Sequence, residues 1–168
     1  MIESNYSITE NLLNIVREFA PNSTIQISSS NKDWQGREYK SDYITIDEKN
    51  HVGFEVFENE IIAFYFSEHH HFEDYSSSPA EDEPDFVDRM RIFLRNLLTC
   101  TIRHEKTYKG KVLIKERYVF IHKDKTEECP AGYWIHNLFI RVIPFLSKHS
   151  EYRLWKYNDQ NGFFIEIS

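Results

Sequence analysis

The chain has 168 residues, 40% hydrophobic and 15% aromatic, with only 5 Gly and 5 Pro and a formal net charge of -7. That balance buries a large core in a single domain spanning residues 1–168 and excludes a disordered or collagen-like chain. Two cysteines, Cys100 and Cys129, supply neither a disulfide framework nor a four-cysteine zinc site, and no apolar run approaches the ~20 residues of a spanning helix. The start Met1-Ile2-Glu3-Ser4-Asn5 shows no secretory signal, so a reduced, cytoplasmic setting is expected.

Ser7-Ile8-Thr9-Glu10 has the spacing of a capping box. Ile8, Leu12, Ile15, Val16 and Phe19 then recur at helical intervals up to Pro21, which predicts a first helix over 8–19. From Thr24 the period falls towards two: Ile25 and Ile27, Ile44 and Ile46, then Val52, Phe54 and Val56, then Ile62, Phe64 and Phe66. The short polar connections at 47–50 and 58–60 make the last three an antiparallel meander. Apolar residues on both faces of 61–66 point to a central strand.

Pro84 suits the first turn of a second helix that carries Phe86, Met90, Phe93 and Leu97 beside Val87, Leu94 and Leu98. Residues 99–108 and 111–122 flank Lys109-Gly110 as a long hairpin. Trp134, Leu138, Val142 and Phe145 mark a third helix, kinked or restarted at Pro144. A last hairpin joins 152–157 to 163–167 through Asn158-Asp159-Gln160-Asn161-Gly162. The order predicts an α+β fold: a mainly antiparallel sheet of hairpins and a meander, with about three helices packed on it.

The charge is unevenly placed. Residues 42–88 hold 14 acidic residues and one basic residue, Lys49, so this stretch carries -13 and the remainder +6. Some of that acidity has a local use, because Glu83, Asp85 and Asp88 sit near the start of the second helix, where they complement its dipole. Glu68, Glu73, Asp74, Glu81 and Asp82 are the cleaner candidates for a partner surface. Clustered carboxylates repel nucleic acid and steer a basic partner inwards, so no nucleic-acid and no membrane partner is expected.

Ser67-Glu68-His69-His70-His71-Phe72-Glu73-Asp74 is the one stretch that resembles a site. Were a strand to continue past Phe66, His69, His71 and Glu73 would share one face, a set that could serve a metal-dependent enzyme. The spacing lacks the glycines and the following glutamate of cupin metal sites, and same-face neighbours on one strand stand ~6.6 Å apart. The reading adopted is no cofactor and no catalytic residue. Gly-x-Ser-x-Gly, phosphate-loop and dinucleotide motifs are absent, and His104-Glu105-Lys106-Thr107-Tyr108 lacks the second histidine of a zincin helix.

The meander leading into Phe64-Tyr65-Phe66-Ser67-Glu68-His69-His70-His71-Phe72-Glu73-Asp74-Tyr75, within a small acidic α+β chain, resembles the bacterial immunity proteins of polymorphic and contact-dependent growth inhibition toxin systems. The resemblance implies a non-enzymatic cytoplasmic protein that binds one cognate toxin domain, often a basic nuclease, and blocks it. The expected contact residues are Glu68, His70, Phe72, Glu73, Asp74, Tyr75, Glu81 and Asp82. A metal-dependent enzyme and a regulatory protein-binding adaptor stand as the alternatives.

Overall fold

The helical spacing at the start of the chain is realised as α1 (Ile8–Phe19), which buries Leu12, Leu13, Ile15 and Val16 on one face. The computed structural model describes residues 8–34, 36–57, 61–66, 69–75, 85–129, 134–135, 137, 139 and 144–167, so Ser7 of the capping box lies outside the described residues. After α1 come five strands, β1 (Gln26–Trp34), β2 (Arg37–Asp47), β3 (Val52–Phe57), β4 (Ile61–Phe66) and β5 (His69–Tyr75). They form one antiparallel sheet in chain order, the meander that short polar turns require. β4 lies inside the sheet, as its apolar run suggested, and β1 and β5 form the edges. β2 extends past β3: from Asn31 to Lys40 the ribbon is two-stranded.

α2 (Phe86–Thr99) follows, with Phe86, Met90, Phe93, Leu94, Leu97 and Leu98 buried. Its 14 residues carry the chain about 21 Å at 1.5 Å per residue, so the next strand starts a second sheet rather than extending the first. That sheet runs β11 (Phe163–Ile167), β10 (Lys148–Asn158), β6 (Thr101–Lys109), β7 (Val112–Ile121), β8 (Glu127–Glu128), with β9 (Trp134–Ile135) also on β7. The class is therefore α+β with two antiparallel sheets, where the sequence had suggested one.

The third helix is where expectation and structure part. Trp134 and Ile135 pair with Glu116 and Lys115 as strand β9. Phe145, expected on the helix's apolar stripe, stands in a turn and is 93% exposed, and Phe139, which is helical, is 87% exposed. Leu138 and Val142 lie outside the described residues. A cross-strand ladder to β7 takes precedence there over the local period.

One continuous core joins the parts. Leu12, Ile15 and Val16 of α1, Ile44, Phe54 and Val56 of the first sheet, the apolar stripe of α2, and Ile102, Phe120, Tyr157 and Phe164 of the second sheet belong to the same cluster. Arg91 of α2 is ion-paired with Glu18 of α1. The two sheets meet directly at the β2–β3 turn, where the buried Asp47 accepts the Phe164 backbone N–H at 2.6 Å, and Asn50 Nδ2 donates to the Phe164 carbonyl at 2.9 Å. In the turn of the β10–β11 hairpin, Asp159 accepts from the Asn22 backbone N–H and Nδ2 at 3.2 and 2.7 Å.

Gly53 of β3 has a tight position beside β2. A Cβ there would lie 2.5 Å from the carbonyl oxygen of Ile44, a backbone atom that cannot rotate away. The neighbouring register shift between Thr45 and Asp47 draws the strands together at this point. Gly53→Ala is therefore expected to cost about 1–3 kcal/mol of stability by overpacking. Urea titration measures it, and an unchanged midpoint would show that β2 yields freely.

Candidate functional site

The segment singled out by its composition becomes β5, the edge of the first sheet, paired with β4 on one side. His70, Phe72, Glu73, Asp74 and Tyr75 lie together on this strand, whereas Glu68, Glu81 and Asp82 lie outside the described residues. An edge strand presents a row of main-chain donors and acceptors to whatever approaches it. Pairing runs from Ile61 opposite Tyr75 to Phe64 opposite Phe72, then shifts to Tyr65 opposite His70, leaving His71 as an extra residue. Such a bulge interrupts strict alternation. The grouping of His69, His71 and Glu73 on one face, which assumed an unbroken period of two, is interrupted at that point.

The structure also sorts the acidic residues by use. Residues 1–88 hold 19 Asp and Glu against 5 Lys and Arg, and residues 89–168 hold 15 Lys and Arg against 8 Asp and Glu. The first sheet thus belongs to a negative half and the second to a positive half. Within the negative half, three carboxylates work inside the fold. Asp42 accepts the Ser29 and Thr9 hydroxyls at 2.6 and 3.2 Å. Asp47 holds the joint between sheets, and Glu55, 2% exposed, accepts the Ser41 hydroxyl. The Tyr43 hydroxyl opposite Glu55 is pushed above its ordinary pKa by burial and secondly by that negative charge. Asp85 stands at the N-cap of α2 without a side-chain capping bond, and Asp88 is exposed in the first turn.

The second sheet carries polar groups that no sequence pattern flagged. Glu116 on β7 is 1% exposed, with His104 Nε2 at 2.5 Å and Lys106 Nζ at 3.6 Å from its Oε1. Tyr118 stacks on His104 at 4.2 Å between ring centroids. Its hydroxyl is pushed well above the ordinary value by burial, and secondly by the charge of Glu116. On the opposite face Arg103 grips Glu127 with two nitrogens at 2.7 and 2.8 Å, and Arg103 and Arg117 both bond Glu105. Burial pushes the Glu105 carboxyl up, but the hydrogen bonds from the two arginines outweigh it and hold the group below its usual range. The contacts of Glu116 with His104 and Lys106 and of Arg117 with Glu105 cross between β6 and β7, whose alternation was the available signal, whereas Arg103 bonds Glu105 along its own strand and Glu127 on β8.

A third array stands where α2 ends, beside an open cleft of about 540 Å³. Cys100 Sγ lies 3.5 Å from His122 Nδ1, His122 Nε2 lies 3.1 Å from Glu128 Oε2, and Asn96 Nδ2 donates to the same oxygen at 3.0 Å. Thiol, imidazole and carboxylate in this order can act as nucleophile, base and orienting group. The electrostatics oppose that use. Burial, and after it the charge of Glu128, pushes the Cys100 thiol up, and a helix C-terminus further disfavours a thiolate. With the carboxylate accepting from Nε2–H, the neutral thiol donates to Nδ1, which makes the array a hydrogen-bonded corner of the core.

The chain matches no protein-family model, no curated protein and no solved structure.

Proposed function

We propose that the chain is an immunity protein of a bacterial toxin system, which acts by binding a basic cognate toxin domain rather than by catalysis. The observation that carries this reading is the separation of charge into two halves of one core, with an edge strand of the first sheet in the negative half. The internal uses of Asp42, Asp47 and Glu55 remove three carboxylates from the surface count and leave Glu73 and Asp74 on the edge strand. A negative surface raises the association rate of a basic partner by ~10–10³. The outer side of β5 adds main-chain bonds of the strand-addition kind, and Phe72 and Tyr75 supply the aromatic anchors that charge alone does not. The site of action is the cytoplasm.

Co-expression with the toxin encoded beside the gene tests this. Growth is restored and the two proteins co-purify, whereas absence of both rescue and complex would remove the reading. In stopped-flow measurements, joint replacement by Glu73→Gln, Asp74→Asn, Glu81→Gln and Asp82→Asn is expected to slow association about tenfold at low salt and to flatten its salt dependence. Tyr75→Ala instead shortens the lifetime of the complex and leaves the melting temperature nearly unchanged. Unaltered association in the charge variant, with the fold intact, places the toxin on another surface.

A further inference from the structure

The strands that end the two sheets are not equally protected. β5 is broken by the bulge at His71, β8 is two residues long, and the Phe164 main chain of β11 already bonds Asp47 and Asn50. Bulges, short strands and covering contacts are the usual ways of blunting an edge. β1 has none of them. It pairs with β2 over nine consecutive residues, Gln26 to Trp34, without a register shift and without a proline, and among the described residues no strand pairs with its outer side. Gln26 to Asn31 and Asp33 are all exposed, so the strand is open on both faces as well as along its edge. Its one lysine, Lys32, is offset by Asp33. The inner face of the sheet also runs out here. Phe72, Phe64, Phe54, Ile44 and Ile27 stand opposite one another in a single row across all five strands. Phe54 is 1% exposed and Ile44 0%, but Ile27 is 51% exposed, so the apolar row ends half in water at the unguarded edge.

We infer that β1 is a self-association edge, where a second copy of the chain adds its own β1 antiparallel across a two-fold axis and the two first sheets join into one. Charge selects this occupant. A basic partner is drawn to the carboxylates of β5, whereas a strand without net charge, with Ser28, Ser29 and Ser30 at its middle, matches itself. Pairing about any of these three serines sets Lys32 opposite Thr24, Gln26 or Ser28 of the second copy, and Asp33 opposite Ser23, Ile25 or Ile27. No like charges then face each other across the joint. The added strand gives Ile27 the cover that the sheet itself lacks, and the outward main-chain groups of the two β1 strands satisfy one another. A two-fold axis uses the edge once, so the assembly closes at a dimer and leaves β5 outside the joint. Residues 1–88 hold 19 Asp and Glu against 5 Lys and Arg, so the two negative halves repel each other as they meet. Salt screens that repulsion. The dimer therefore tightens as salt is raised, opposite in sign to the proposed toxin complex, and it forms without any toxin.

Sedimentation equilibrium of the full chain alone provides the test. The mass should rise with concentration from one chain to two and no further, at lower concentration in high salt than in low. Ile27→Lys with Ser30→Lys places a charge on each face of the edge and should weaken the dimer by about tenfold or more, with the melting curve unchanged. Cross-linking supplies a second measurement that does not depend on that variant. Single cysteines placed in turn from Gln26 to Asn31, in a Cys129→Ser background under mild oxidation, should couple most strongly at one serine and fall away to both sides. That peak marks the axis, because the separation of a residue from its own copy grows by about 6.6 Å with each step away from it. A chain that stays monomeric, growth beyond two chains, a dimer that the lysine variant leaves intact, or coupling that is level along the strand each overturns the inference.

Discussion

His104→Ala is expected to destabilise the protein by about 3 kcal/mol, because it strips a buried carboxylate of its nearest hydrogen-bond partner. At ~2–4 °C per kcal/mol for a chain of this size, the melting temperature falls by about 6–12 °C. Glu116 is 1% exposed, with His104 Nε2 at 2.5 Å and Lys106 Nζ at 3.6 Å from its Oε1. Deleting the imidazole removes the closer of the two and also the ring on which Tyr118 stacks, while the carboxylate stays shielded from water. The diagnostic comparison is the double variant His104→Ala, Glu116→Gln. Neutralising the carboxylate lifts its desolvation cost, so the double variant should be more stable than His104→Ala alone, a sign opposite to additivity. Equal or greater loss in the double variant would mean that His104 contributes through packing and not through the charge it faces.

Asp47→Ala carries the second large effect, about 3 kcal/mol, because it strips the Phe164 N–H of a charge-assisted acceptor at a place closed to water. The carboxylate accepts the Phe164 N–H at 2.6 Å, Asn50 Nδ2 at 2.6 Å and the Asn50 N–H at 3.1 Å. One side chain therefore fixes the β2–β3 turn and fastens it to β11. Asp47→Asn keeps an oxygen but loses the charge and should cost roughly half as much. Hydrogen exchange locates the damage: the Phe164 amide should exchange faster in Asp47→Ala than the amides of α2 do. Uniform acceleration through all elements would show instead that the turn and β11 open only with the whole molecule.

The helices and hairpins were legible because each is written locally. Leu12, Ile15 and Val16 on one period, Val52, Phe54 and Val56 on another, and Gly110 and Gly162 in turns with φ of 59° and 72° announce their elements within a few residues. The division into two sheets was not written locally, since it depends on where α2 delivers the chain. Asp47 read as a turn residue, and so it is, but it also accepts from a donor 117 positions away, the Phe164 N–H. Glu55 and Glu116 carry no local sign of burial, yet both are buried with partners across the ladder. In β5 the insertion of His71 changes which residues share a face without altering composition or length. The acidic stretch itself was plain in the sequence. What the fold adds is which of its carboxylates are already engaged.

The two-stranded ribbon from Asn31 to Lys40 has a practical consequence. A lone pair of strands is marginal in water, and this one passes through Gly36, at φ 79° with nothing within 4 Å of a would-be Cβ. The tip can be lengthened at little cost, since loop closure entropy grows only slowly with added residues. An epitope or fluorophore spliced in at Gly36 would ride on the molecule without disturbing α1, α2 or either sheet, and would give the protein a handle far from the β2–β3 turn that holds the sheets together.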